Sequence, residues 1–325
     1  MHDAAKSNLR GAAFALAGFA LFATHDVVVK SLGAQFATFQ IIFFSVLLSF
    51  PLVMLMLMRD TNAGTLIPVH PWWTALRTAS AVVTGLCIFY AFATLPLAEV
   101  YAIIFAMPLL ITVLSIPILG EHVGRHRWAA VAVGLVGVLV VLRPGASEFT
   151  LGHIAALTGA CTGSLVSIIV RKIGQDERNA VLLLYPMMAN FLVMASVLPF
   201  VYRPMEVHHL GLVGLMAVLA FVAGLLMIQA YKAGDAAIVA PMQYSQMVWA
   251  AIYGFYFFGE SVDTMTWIGA GIIIASGLYI VLRESLGGMS RVTPVLRARS
   301  RVETGTTPRM SVLHRIGRRS VQSTH

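Results

Sequence analysis

The chain has 325 residues, of which 58% are hydrophobic and only 11% charged, with a formal net charge of +8. Soluble domains carry about 25% charged residues, and here the apolar residues come in blocks of roughly 20, the length that crosses a bilayer core of about 30 Å. This composition excludes an ordinary soluble enzyme. The basic excess fits cytoplasmic membrane flanks better than a nucleic-acid surface, because neither a binding motif nor aromatic interleaving accompanies it.

Ten apolar spans are expected, at 9–30, 36–58, 72–94, 97–119, 127–143, 149–171, 180–202, 208–231, 236–258 and 264–283. The first is longer than the apolar region of a cleaved signal and is read as a retained helix. It ends with His25, Asp26 and Lys30. Asp26 and Lys30 stand at i, i+4, so the ordinary reading is a local ion pair. Ionisable groups inside a span are also default functional candidates, which makes Asp26 and His25 candidates for proton coupling. The second span carries Phe43-Phe44-Ser45, and the third carries Tyr90 and Cys87. Cys87 and Cys161 both sit in apolar blocks, so neither a disulfide framework nor metal-ligand spacing is expected, and no cofactor is called for.

The fourth span opens after Leu95-Pro96 with Glu99 and continues through Tyr101, Phe105 and Pro108. The last three follow helical spacing along one face. Glu99 is either a coupling or counter-ion carboxylate or a solvated acid favoured by the helix start, with the second reading preferred. Gly120-Glu121 closes the span; glycine suits a helix C-cap, and the acid is expected at the surface. In the fifth span Gly134 and Gly137, and in the tenth Gly269 and Gly271, are expected to let helices approach closely. Ser164 in the sixth span is a polar candidate, as are Thr24, Asn190 and Gln229, each of which can equally serve helix packing.

The ninth span is the most informative. It reads Ala240-Pro241-Met242-Gln243-Tyr244-Ser245-Gln246-Met247-Val248-Trp249. Gln243 and Gln246 are one helical turn apart, and Pro241 frees a backbone carbonyl, an arrangement that a cavity tolerates best. Gln243 and Gln246, flanked by Tyr244 and Trp249, are therefore expected to line a solute site with Tyr101, Phe105, Tyr90 and Ser164.

The chain repeats itself. Gly11, Gly18, Lys30 and Gly33 recur 141 positions on as Gly152, Gly159, Arg171 and Gly174, and Gly120-Glu121 recurs 139 positions on as Gly259-Glu260. Each unit holds five spans, so the second enters the membrane inverted, with a substrate site expected near the midplane between the halves. Residues 1–148 form the first expected repeat, 149–284 the second, and 285–325 a basic tail expected to be disordered and to rest on anionic lipid. Lys6, Arg10, Arg77, Arg125, Arg171, Lys172 and Lys232 fall on one side of this layout, against Lys30, Arg143 and Arg203 on the other, which puts both termini in the cytoplasm.

These features resemble the EamA-type transporters of the drug/metabolite transporter superfamily. The resemblance covers roughly residues 10–284 and rests on the duplicated layout, Asp26-Val27-Val28-Val29-Lys30, Leu95-Pro96-Leu97-Ala98-Glu99, the two Gly-Glu turns and Ala240-Pro241-Met242-Gln243-Tyr244. It implies an inner-membrane secondary transporter, monomeric or homodimeric, that moves an amino-acid-like, nucleotide-like or vitamin-like solute through a central cavity by alternating access. Protons are the candidate coupling ion. Many relatives carry an arginine in the second span where this chain has Phe43-Phe44-Ser45. The alternative is a membrane-embedded enzyme acting on a lipid-linked substrate, which would want paired carboxylates or His clusters on sizeable loops.

Overall fold

The computed structural model describes residues 2–58, 65–121, 123–143, 149–234 and 236–286; the tail expected to be disordered lies outside the described residues from position 287 on. All regular structure among the described residues is helical. The helices are α1 (His2–Gly33), α2 (Thr38–Met58), α3 (Pro71–Thr94), α4 (Leu97–Ile104), α5 (Met107–Leu119), α6 (Arg125–Leu142), α7 (Leu151–Ile173), α8 (Asn179–Val201), α9 (Val207–Ala233), α10 (Ala236–Val239), α11 (Ser245–Phe258) and α12 (Thr264–Leu286), with a 3-10 stretch at Ala240–Tyr244 between α10 and α11. Among the described residues, eight stretches are long and apolar enough to cross a membrane by themselves. The second and ninth spans complete the ten-helix bundle, the first with Pro51 inside α2 and the second divided into α10, the 3-10 stretch and α11.

Two expected spans are thus broken, and the breaks are equivalent. The fourth is interrupted at Phe105-Ala106, where the backbone tightens: Ala106 N–H reaches Ile103 O at 3.0 Å and Leu109 N–H reaches Ala106 O at 3.0 Å, both across three residues. Pro108, which has no N–H, follows immediately. The ninth span breaks at Tyr244-Ser245, 139 positions on, with Pro241 in the tightened segment. At these breaks the two spans meet: the Phe105 and Tyr244 rings are T-shaped, 5.1 Å apart.

The packing repeats in the same way. α1 lies along α9 as α7 lies along α3, while α6 pairs with α12 and α2 with α8 across the pseudo-twofold axis. The repeated glycines sit at these seams. A Cβ on Gly18 would come within 3.1 Å of Met227 Sδ, and one on Gly159 within 2.6 Å of Ile88, the residue equivalent to Met227. Gly134, Gly137 and Gly269 likewise serve close approach of α6 and α12. Gly271 does not: nothing lies within 4 Å of where its Cβ would stand, and it faces outward.

Gly120 (φ 70°) and Gly259 (φ 65°) occupy the left-handed region that glycine tolerates best, at the C-termini of α5 and α11. Glu121 N–H then bonds Ser115 O at 3.3 Å and Glu260 N–H bonds Gly254 O at 2.9 Å, folding each chain back over its helix end. The expectation of surface acids is corrected here. Glu121 is 7% exposed and ion-paired with Arg171, and Glu260 is 18% exposed and paired with Lys30. The turn aims each acid inward, at the first helix of the other repeat. Outside the spans, Arg143 and Asp263 tie the end of α6 to the start of α12. Burial pushes the Asp263 carboxyl up, but hydrogen bonds from Arg143 and Thr266 together with the Arg143 charge outweigh it and hold the group at about 2.

Candidate functional site

A buried polar chain joins α1, α4 and α11. Gln246 Nε2 donates to the Tyr101 hydroxyl at 3.2 Å. The Tyr101 hydroxyl donates to Asp26 Oδ2, and Asp26 Oδ1 lies 2.8 Å from His25 Nδ1. Asp26 is 0% exposed and His25 1%, with the Phe89 ring edge-on to His25 at 6.1 Å. Unpaired polar groups at this depth are costly, so a satisfied chain is the arrangement that lets a carboxyl persist there. The hydrogen bonds converge on Asp26. An ionised Asp26 accepts from Tyr101 and from His25 Nδ1–H, and Tyr101 accepts from the Gln246 amide.

The expected Asp26–Lys30 pair does not form. Lys30 Nζ lies 2.6 Å from Glu260 Oε1 and donates to the Leu95 carbonyl. The local i, i+4 spacing loses because the Gly259 turn offers a carboxylate above Lys30, whereas Asp26 is engaged by Tyr101 and His25. Glu99 is not the solvated acid expected: its Oε1 is 2.9 Å from His153 Nε2, at the side of the first turn of α7, and it stands apart from the Asp26 chain.

The other expected site residues divide. Tyr101, Phe105, Tyr244 and Gln246 are buried together at the meeting of the two broken spans. Gln243 is half-buried in the 3-10 stretch, one turn from Gln246. Trp249 is half-buried and stacks toward Tyr253 at 5.8 Å, whose hydroxyl is 3.2 Å from Thr24 Oγ1. Tyr244 turns its hydroxyl toward α12, where a Cβ on Gly277 would collide with it. Ser164 is fully buried, with its hydroxyl 2.7 Å from Ala160 O and 3.3 Å from Met107 O at the start of α5. Tyr90 is 37% exposed on α3 and does not join this group. Sequence reasoning missed Ser245, whose buried Oγ sits at the ninth-span break without a protein hydrogen-bond partner. Its signal was its place beside Gln246.

Two further groupings lie elsewhere. A cavity of about 480 Å³ opens near the Lys30 end of α1, lined by residues such as Gln35, Phe36 and Arg203, none of them in the Asp26 chain. Although no metal-ligand spacing was expected, Glu206, His208 and His209 at the start of α9 bring donor atoms within 4.8 Å of one another. Glu206 and His208 are exposed, and His209 Nε2 is bonded to Gln35 Oε1 at 3.1 Å.

Comparison with known proteins places this geometry. The family model described as the EamA-like transporter family matches twice, at residues 9–143 and 150–282. The chain is similar to the S-adenosylmethionine uptake transporter of Rickettsia prowazekii (strain Madrid E), 26% identical over 291 residues that cover 87% of this chain and 96% of the relative. It is also similar to the riboflavin transporter of Rhizobium johnstonii, 26% identical over 66% of this chain and 72% of the relative, and to the pseudopaline exporter of Pseudomonas aeruginosa, 23% identical over 82% and 93%. A solved crystal structure superposes with a TM-score of 0.54 at 18% identity, covering 89% of this chain and 100% of its own, which shows a shared fold.

Proposed function

The chain belongs to the EamA-like transporter family and is a multi-pass secondary transporter of small metabolites; from that premise we propose that it carries a neutral or zwitterionic solute with an aromatic or heteroaromatic portion, and that Asp26 couples its movement to protons. The observation that carries this reading is the Gln246–Tyr101–Asp26–His25 chain, which links a buried titratable group to an amide at the meeting of the two broken spans. Adding a proton at Asp26 Oδ2 turns that oxygen into a donor to Tyr101. The Tyr101 hydroxyl can then donate onward to the Gln246 amide, which turns its oxygen toward Tyr101 to receive it. Proton loading thereby changes what Gln246 offers a solute.

Gln243, Gln246 and Ser245 supply the polar contacts, with Trp249 and Tyr253 as the aromatic wall. An anionic solute fits poorly. Lys30 and Arg171 are both spent on glutamates, and in the Phe43-Phe44-Ser45 segment Phe43 is stacked on Phe191 at 5.1 Å. The family's uptake and export members leave direction to the gradient. A membrane-embedded enzyme has no paired carboxylates among the described residues of this core.

The test is affinity. A hydrogen bond from a buried amide is worth roughly 0.5–1.5 kcal/mol net, so Gln243→Ala and Gln246→Ala should each weaken apparent solute affinity by up to roughly tenfold. A thermal-shift screen of metabolites supplies the solute, since a ligand that binds the folded state raises its stability. Cysteines at both positions should be protected by it from a soluble thiol reagent. Wild-type affinity in both alanine variants, with neither cysteine protected, moves the site elsewhere.

The chain is placed in the cytoplasmic membrane with both termini inside, from the Lys and Arg bias of its links. The two repeats, 1–148 and 149–284, act as the moving halves, and the basic tail lies on the cytoplasmic leaflet. Reporter fusions at His325 and beside Pro204 should report opposite sides; a shared side overturns the orientation.

A further inference from the structure

We infer that the two Gly-Glu turns and the two basic residues of α1 and α7 form a pair of exchanging clamps, one at each end of the bundle, and that the structure has the Lys30 clamp closed on the start of α4 while the Arg171–Glu121 pair stands without the matching contact from α10. The inference rests on the transport reading, since only an alternating-access protein needs two such closures, but it is drawn from a comparison of the chain with itself.

Lys30 and Arg171 are repeat equivalents, as are Glu260 and Glu121. Each ion pair crosses between repeats: Lys30 of the first holds Glu260 of the second, and Arg171 of the second holds Glu121 of the first. All four side chains are less than one-fifth exposed. Buried pairs of this kind add little net stability over apolar residues, yet breaking one leaves an uncompensated charge. That asymmetry suits a latch, which must hold in one state and be replaceable in the other.

The two clamps are not in the same condition. At the Lys30 end both Glu260 oxygens are engaged: Oε1 pairs with Lys30, Oε2 accepts Leu97 N–H at 3.1 Å, and Lys30 also bonds the Leu95 carbonyl, so the clamp ties α1 and α11 to the turn that begins α4. At the other end Glu121 Oε2 and Arg171 Nη1 are buried and have no partner. The equivalent of the Leu97 amide is the start of α10, and it does not reach Glu121. Packing agrees. α4 is buried except at Glu99 and packs on α11 and α12, and α1 packs on α3, with Gly33 against Ala93. Among the described residues, α10 with α5 and α6, and α7 with α9, show no comparable packing. Ala240, Pro241, Met242 and Gln243 are correspondingly half-exposed, where the equivalent residues of α4 are buried. Closing the Arg171 end requires α10 to swing onto Glu121, and the pseudo-twofold relation then demands that α4 leave Glu260.

The experiment reads accessibility, not transport. In a Cys87→Ala/Cys161→Ala background, one reporter cysteine replaces Ala98, buried in α4 one residue past Leu97, and in a second protein another replaces Ala240. Each is labelled in proteoliposomes with a membrane-impermeant thiol reagent on either side. Glu260→Gln should raise labelling of the Ala98 reporter from the Lys30 side several-fold and lower that of the Ala240 reporter from the opposite side. Glu121→Gln should leave the Ala98 reporter sealed and raise labelling at Ala240. Exchanging the charges, Lys30→Glu with Glu260→Lys, should return labelling to the parent pattern, which separates a lost latch from a damaged fold. Both single variants moving both reporters in the same direction, or neither moving them in protein that remains monodisperse, overturns the inference. Opposite shifts in a protein that moves no solute would uphold the clamps and count against the transport reading instead.

Discussion

Asp26→Asn abolishes uphill solute accumulation in proteoliposomes while solute exchange continues. For one coupled proton, a gradient of one pH unit supports a roughly tenfold solute gradient, about 1.4 kcal/mol; in the variant the accumulation ratio falls to about one. The substitution suits the geometry. Asparagine has the shape of aspartate, its carbonyl can accept from Tyr101, and its amide can donate to His25 Nδ1 in the tautomer that carries the proton on Nε2. The chain therefore stays satisfied while its only carboxyl is gone, and yield and thermal stability should hold. Tyr101→Phe is the useful contrast. It keeps the carboxyl but cuts its link to Gln246, so accumulation should fall and solute affinity should lose its pH dependence. A well-folded Asp26→Asn protein that still drives solute uphill removes Asp26 from coupling and leaves it a structural acceptor for Tyr101.

Much of this site was legible in the sequence because membrane physics leaves so few polar choices. The spans follow from their length, and the 139-position spacing of the Gly-Glu turns makes Phe105 the counterpart of Tyr244, whose rings meet. Pro241 signalled a disturbed ninth span. What failed were local rules applied where tertiary partners won. The i, i+4 spacing of Asp26 and Lys30 suggested a pair, but Lys30 has a long side chain at the end of α1 and takes the carboxylate that the Gly259 turn brings to it from 230 positions away. Glu121 and Glu260 looked like surface acids because each follows a capping glycine; the same left-handed turn folds the side chain back under the other repeat. The signal was present, since bases and acids recur at matching intervals, but only the inverted packing says which acid meets which base. Tyr90 is 37% exposed on α3, outside the buried group, and one sequence without its packing does not tell which face of the helix it takes.

The α6–α12 seam carries the largest expected effect on folding. Gly137 and Gly269 face each other closely enough that a Cβ on Gly137 would stand 2.9 Å from Gly269 O, and one on Gly269 would stand 2.7 Å from Gly137 O and 3.0 Å from Val141 N. These are backbone atoms and cannot swing aside as a side-chain end can. In lipid there is little hydrophobic drive to hold helices together, so close backbone approach is what this pairing has to offer. Gly137→Leu forces the helices apart along the whole contact, beyond the roughly 1–3 kcal/mol usual for overpacking. Purified protein should fall in apparent Tm by about 5 °C or more, or fail to accumulate in the membrane. Gly271→Leu is the control on the same helix. Its Cβ meets nothing within 4 Å and points outward, so its Tm should stay within about a degree or two of the parent, as expected for a surface substitution. Equal losses at Gly137 and Gly271 would mean that glycine acts there through helix flexibility, and a stable Gly137→Leu protein would show that the seam can open without cost.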